Sequence, residues 1–388
     1  MIISYEKFKR IFEKTDINFN LHKPVDILIP VYNAFNHLKN LLDSIIANTS
    51  IEYRLLICDD CSDDEKIYPY LLMFKKQNKD KNIQIFRNNK NLGFVKTINN
   101  LMEKTENHFV IINSDVIVPK NWLKRLIYPI LFMENIATTT PFSNSGVFCS
   151  FPDFIADNKI PFDLSVNEID KFFKIVNLQN TYIEIPSGVG FCMAINRNLI
   201  EKIGKFDEIF GKGYGEETDW CARAKRYGYK NIIVTNLFVY HKHGASFKNR
   251  ERIELQNKNL EIIIKRFPEY ANIVQKFIKE DKLKILRELL FMLIASNYEK
   301  KSILVVDLSN SVFKDYKINL KEYNFYGVLT YSQLENKYLI SMNYFEKNVI
   351  ITSEELENLN KVLNFYNFYE VYYVSESDKK LIKNLKNP

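Results

Sequence analysis

From Val25 the chain alternates short apolar runs with longer amphipathic ones: VDILIP, residues 34–48, YRLLIC, residues 65–79, IQIFR, residues 92–103 and HFVIIN. Strands separated by helix-length segments cannot pair through tight turns. They pair in parallel, with the intervening helices packed across the sheet. Ile27-Leu28-Ile29 and Val110-Ile111-Ile112 are apolar on consecutive residues, as strands covered on both faces require. The expected fold is α/β, with a Rossmann-like, mixed but mostly parallel sheet flanked by helices. Such sheets bind ligands beyond the carboxyl ends of their strands. Tyr32-Asn33, Asp59-Asp60, Asn91 and Asn113-Ser114-Asp115 all fall at or just after those ends.

The 388 residues divide into an amphipathic N-terminal helix over 1–24, the sheet domain over 25–250, a helical segment over 251–300 and a small α/β unit over 301–388. Within the first domain, residues 141–185 read as an irregular connection that could cover a substrate. The helical segment reads as two amphipathic helices interrupted by Pro268. The last unit rests on ILVVDL, NVIIT, a helix-like stretch over 353–365 and YEVYYV.

Charge excludes one class of partner. The 54 basic and 47 acidic residues give a net +7 but are mixed along the chain, without the dense basic run of a nucleic-acid arm. Charged residues interrupt residues 1–24, and the longest apolar stretch, 289–295, is far short of the ~20 residues that span a bilayer. The five scattered cysteines suit a reducing compartment, so a cytoplasmic location is expected. Cys58 and Cys61 form a C-x-x-C, but no second pair stands at ligand spacing.

Three clusters carry chemistry. Asp115 leaves a strongly apolar strand in a turn. It is either a turn former or one of the few protein carboxylates that Mg²⁺ or Mn²⁺ uses when phosphate oxygens complete its shell. Gly211, Gly213 and Gly215 deliver Glu216, Glu217 and Asp219 onto the first turn of a helix, where all three complement the helix dipole. Glu217 is the candidate to accept a proton from an attacking hydroxyl. Glu216 is assigned to the acceptor or the loop backbone, and Asp219, four residues before Arg223, to an ion pair. The third cluster is Tyr240-His241-Lys242-His243: the His241 imidazole can complete a metal site, and Lys242 or Lys248 can meet diphosphate charge. In Asp59-Asp60-Cys61-Ser62, Ser62 is a candidate helix N-cap and Asp60 an acceptor for the N–H of a uracil or thymine ring.

Taken in order, these segments resemble the family 2 glycosyltransferases, which have the GT-A fold, over about residues 25–247. Ile29-Pro30-Val31-Tyr32-Asn33 is similar to the family's opening strand and turn, Cys58-Asp59-Asp60 to its nucleotide-binding aspartates, and Asn91-Leu92-Gly93-Phe94 with Asn99 to its N-x-G-F segment. Asn113-Ser114-Asp115 is similar to its D-x-D motif, Glu216-Glu217-Thr218-Asp219 to its E-D-x-D base region, and His241 to the histidine after its final core strand.

The resemblance implies transfer of one sugar, with inversion, from a UDP- or dTDP-linked donor to a glycan or lipid-linked acceptor in surface polysaccharide or glycoconjugate synthesis. It implies nucleotide contacts from Pro30, Tyr32, Asn33, Asp60, Asn91 and Gly93, and donor sugar or diphosphate contacts from Asn113, Ser114 and Lys242. It also implies Mn²⁺ or Mg²⁺ on Asp115 and His241, with Glu217 as base. Asn113 and Glu217 each stand where the family usually has aspartate, and Glu217 followed by T-D-W looks like the branch that includes rhamnosyltransferase-like enzymes.

Two other readings compete. A sugar nucleotidyltransferase would need a glycine- and basic-rich phosphate loop after the first strand, where this chain has P-V-Y-N-A-F. A non-catalytic glycan- or nucleotide-binding relative would account for Asn113 and Glu217. No cluster after residue 251 points to catalysis; acceptor binding, self-association or, through the Lys-rich run 276–287, contact with an anionic membrane face are the expectations there.

Overall fold

The computed structural model describes residues 1–13, 19–242, 249–308 and 319–382. Its strands are β1 (Ile2–Ser4), β2 (Val25–Val31), β3 (Tyr53–Asp59), β4 (Asn82–Arg87), β5 (Phe109–Ile112), β6 (Val116–Ile117), β7 (Ile136–Ser143), β8 (Ile183–Glu184), β9 (Cys192–Ile195), β10 (Lys230–His241), β11 (Ser302–Asp307), β12 (Phe325–Ser332), β13 (Lys337–Tyr344), β14 (Lys347–Ser353) and β15 (Glu370–Tyr373). Among the described residues β2–β10 build a nine-stranded sheet in the order β4-β3-β2-β5-β9-β7-β10-β6, with β8 beside β10. β4, β3, β2 and β5 are parallel, β9 runs antiparallel between β5 and β7, and β7 and β10 are parallel. This is the mostly parallel α/β sheet that the alternation predicts, with helices Phe35–Asn48, Ile67–Gln77 and Phe94–Met102 in its crossovers.

Alternate strand residues feed opposite faces. Ile27, Ile29, Leu55, Ile57, Val110 and Ile112 enter one apolar cluster. Leu28, Leu56, Phe109 and Ile111 enter the other, together with Trp220 and Tyr270 from later helices. Consecutive apolar residues are needed because both faces are covered.

Four expectations change. Residues 141–185 are more regular than their prolines imply: β7 runs on to Ser143, and a helix, Val166–Phe173, starts at a capping box made by Ser165 and Glu168. Between β10 and β11 the described residues form three helices, Asn249–Arg266, Tyr270–Glu280 and Lys284–Tyr298, where two are expected. The extra break comes at Asp281, which takes the left-handed conformation at φ 36°. None of the described helices is long and apolar enough to cross a membrane.

The C-terminal unit is a six-stranded sheet ordered β1-β14-β13-β12-β11-β15. Its hairpin strands β12 and β13 escape a search for continuous apolar runs because much of each is only half-buried. The fourth change is at the N-terminus, where, among the described residues of 1–24, the expected helix covers Tyr5–Phe12, capped by Ser4, and follows β1. Ile2–Ser4 is extended because it pairs in parallel with Ile350–Thr352.

Candidate active site

The antiparallel pairing of β6 with β10 sets Val116 opposite His241, and Lys242 donates its backbone N–H to the Asp115 carbonyl at 3.0 Å. The first and third clusters, 126 positions apart in sequence by the difference 241 − 115, therefore meet. His241 Nε2 lies 3.5 Å from Asp115 Oδ1, and both side chains are about nine-tenths buried. Asn144 brackets the His241 backbone, accepting its N–H at 2.8 Å and donating to its carbonyl at 2.9 Å. The ring stacks on Phe191 at 4.7 Å, and its Nδ1 lies 3.4 Å from the Ser145 carbonyl. A carbonyl only accepts, so Nδ1 is the donor in this contact, and in the neutral imidazole the lone pair is then on Nε2, the nitrogen nearer Asp115. Asp115 Oδ1 is buried without a hydrogen-bond partner among the described residues. A carboxylate oxygen and an imidazole nitrogen that face each other in this way fit a divalent cation.

The second cluster lies on the helix Glu216–Arg226, which begins after four positive-φ residues: Gly211 at 56°, Gly213 at 116°, Tyr214 at 67° and Gly215 at 139°. Glu216 is 4% exposed and its Oε2 has no hydrogen-bond partner among the described residues. Burial, and then the neighbouring Glu217 carboxylate, push Glu216 well above the ordinary carboxylate range. Burial also raises Glu217, whose Oε2 accepts the Gly215 N–H at 3.3 Å. Asp219 is fully buried between Arg223 at 2.8 Å and Arg266 at 2.7 Å, the structural ion pair with a second arginine added.

A segment that the sequence does not single out joins the two corners. A Cβ on Gly190 would sit 4.0 Å from Glu217 Cγ and Cδ, while the next residue, Phe191, carries the ring stacked on His241. Phe191 also accepts the Asn113 N–H at 2.9 Å. The available signal was a pair of glycines, Gly188 and Gly190, immediately before an apolar run.

On the other side, Asp60 is 4% exposed and accepts hydrogen bonds from Asn88 Nδ2 at 2.7 Å, Leu92 N at 2.8 Å and Gly93 N at 2.9 Å. A carboxylate has about four lone-pair sites, so one is left on Oδ2 for a ring N–H. Asn91 accepts from Gly93 N at 3.0 Å. Tyr32, 41% exposed, donates to Asp63 at 2.7 Å. Asn33 accepts from Asp63 N and Asp64 N, and donates its own N–H to Ser62 Oγ. Ser62 is therefore no helix N-cap; the helix begins at Ile67, because Asn33 has already captured the turn. Pro30 lies in β2, half-buried, and Asn113 and Ser114 are half-buried beyond β5. Cys58 is buried in β3, and burial pushes its thiol up to about 12. His243 and Lys248 lie outside the described residues.

The model of glycosyl transferase family 2 matches residues 26–204. Among solved structures, GalNAc-T7 with UDP, GalNAc and Mn²⁺ is similar at 14% identity and a TM-score of 0.49, over 70% of this chain and 50% of that one. The mannosyltransferase PcManGT from Pyrobaculum calidifontis, in complex with GDP-Man and Mn²⁺, is similar at 15% identity and a TM-score of 0.48, over 66% of each chain. TarS 1–349 from S. aureus, with UDP-GlcNAc, is similar at 12% identity and a TM-score of 0.40, over 72% of this chain and 85% of that one. The chain thus spans half the length of the GalNAc-T7 chain and 66% of the mannosyltransferase. No curated protein matches it. Residues 26–204 of this chain, which include Pro30, Asp60, Asn91 and Asp115, are thus similar to glycosyl transferase family 2.

Proposed function

We propose that the chain transfers one sugar from a UDP- or dTDP-linked donor to a hydroxyl of a glycan or lipid-linked acceptor, with inversion at the anomeric carbon. The observation that carries this reading is the adjacency of Gly190 and Phe191: one borders Glu217, the other stacks on the histidine that faces Asp115. Consecutive Cα atoms are about 3.8 Å apart, so the two corners are held by neighbouring residues of one segment.

Asp60, Asn91 and Gly93 hold the loop that would receive the nucleotide, with Pro30, Tyr32 and Asn33 beside it. Asn113, Ser114 and Lys242 flank the donor sugar and diphosphate. Asp115 and His241 would hold a divalent cation, Mn²⁺ or Mg²⁺, which when bound neutralises charge on the diphosphate. The acceptor oxygen bonds to the anomeric carbon while the bond to the diphosphate oxygen breaks on the opposite face, and Glu217 takes the acceptor proton. One displacement inverts the centre. The raised proton affinity of Glu217 makes it a stronger base than an ordinary glutamate.

The test is incubation of the full chain with a panel of UDP- and dTDP-sugars and Mn²⁺, scored for nucleoside diphosphate release and for the anomeric configuration of the product. Pyrophosphate exchange would favour a nucleotidyltransferase, and binding with no release a non-catalytic relative. Peripheral contact with an anionic membrane through the lysines of 276–284 belongs to the same proposal; absence of flotation with anionic liposomes removes it.

A further inference from the structure

Nothing after residue 251 suggests chemistry in the sequence, yet two of the helices there close on the loop that presents Glu217. Asn259, on the helix Asn249–Arg266, is 1% exposed. Its Nδ2 donates to the Gly213 carbonyl at 2.8 Å and to the Phe210 carbonyl at 3.4 Å. Arg266, on the same helix, bridges Asp207 at 2.8 Å and Asp219 at 2.7 Å. Tyr270 opens the next helix, is 9% exposed, and places its hydroxyl 3.4 Å from Ser187 Oγ. The same phenol is within reach of Thr218 and feels the Glu217 charge.

Gly213 and Ser187 belong to the two segments that flank Glu217: the glycine loop that starts its helix, and the strip that ends at Gly190. That loop needs restraint. Three glycines give it many conformations to lose, and Tyr214 sits at a positive φ that a non-glycine residue rarely adopts.

We infer that Asn259 and Tyr270 are positioning residues for Glu217: Asn259 pins the loop on one side of the carboxylate, Tyr270 ties down the strip on the other, and together they fix its distance from the acceptor oxygen. The inference rests on the reading of Glu217 as base. Donor contacts are assigned to other segments, at residues 30–33, 60, 91–93 and 113–115, so the effect falls on turnover and not on donor binding. A misplacement of about 1 Å can cost on the order of 10²-fold in rate.

The experiment compares Asn259→Leu, Tyr270→Phe and Glu217→Gln in the full chain, alone and with each of the first two combined with Glu217→Gln. Turnover is read as nucleoside diphosphate release from the panel sugar that the wild type hydrolyses, and binding of UDP with Mn²⁺ is read by calorimetry. Asn259→Leu and Tyr270→Phe are each expected to lower kcat about 10- to 100-fold with donor KM and UDP affinity unchanged, and to have no further effect once Glu217 is Gln. Tyr270→Phe should also move the acid limb of kcat to higher pH, because a more apolar surround raises the carboxyl further.

Unchanged kcat overturns the inference. So does an equal loss in the wild-type and Glu217→Gln backgrounds, which marks a role that does not pass through the carboxylate. Full turnover in Glu217→Gln alone is a different failure: it removes the base reading itself.

Discussion

Glu216 and Glu217 are chain neighbours on one helical turn, but only Glu217 borders the strip that leads to His241. Glu217→Gln is therefore expected to lose about 10²- to 10⁴-fold in kcat while UDP binding, measured by calorimetry, persists. Asp115→Ala should instead weaken Mn²⁺ and nucleotide binding together; nucleotide affinity that stays high and keeps its Mn²⁺ dependence would reject the cation assignment.

Glu216 permits a prediction about stability. Its folded-state proton affinity is raised by burial and by Glu217, so the native state holds a proton that the unfolded chain releases from about pH 4.3 upward. Native stability falls as pH climbs from that ordinary value towards the raised one. Gln at this position does not titrate, so Glu216→Gln should gain in melting temperature over the wild type across that window and show least gain near pH 4. A gain independent of pH would contradict the assigned cause. The residue types at these positions were legible in the sequence, but which glutamate is the more buried was not, because burial depends on packing with remote residues: a Cβ on Gly213 would sit 3.8 Å from the Glu216 carboxylate oxygens and from Phe94 Cβ, which belongs to a distant helix.

Among the elements, the long strand β10 carries the most consequence. Its register against β7 shifts between Val234 and Phe238, and a buried ion pair holds the irregularity. Arg125 makes a 2.6 Å contact with Asp170 and also donates to the Asn236 carbonyl, while Asp170 accepts the Phe238 N–H at 3.0 Å. A bulge re-aims the strand residues beyond it, here as far as His241. Asp170→Asn leaves Arg125 buried without its counter-charge and should cost about 3–5 kcal/mol in a denaturant titration, with Mn²⁺ affinity falling as well. Helices such as Phe35–Asn48 and Phe94–Met102 were legible from apolar spacing. The bulge was not, since it depends on a helix residue 111 positions away.

At the scale of the whole molecule, the first residues of the chain close the last sheet. β1 pairs with β14, and Phe8, 1% exposed, meets Phe365 edge-on at 5.4 Å. Phe8→Ala should destabilise the chain by about 3–5 kcal/mol, seen as a lower melting temperature, although it lies in neither of the segments proposed for catalysis and nucleotide binding. One apolar cluster continues from the first sheet through the helix Lys284–Tyr298 into the second, so that loss should spread beyond the C-terminal unit.

From the sequence alone come the mostly parallel sheet and the residues placed at or just after its strand ends, because strand and helix periods and turn chemistry are local properties of the chain. Packing alone brings Asp115 to His241, sets Gly190 and Phe191 between that pair and Glu217, and lays Asn259 and Tyr270 against the segments on either side of Glu217. Those contacts join residues remote in sequence, and proximity of that kind comes from packing.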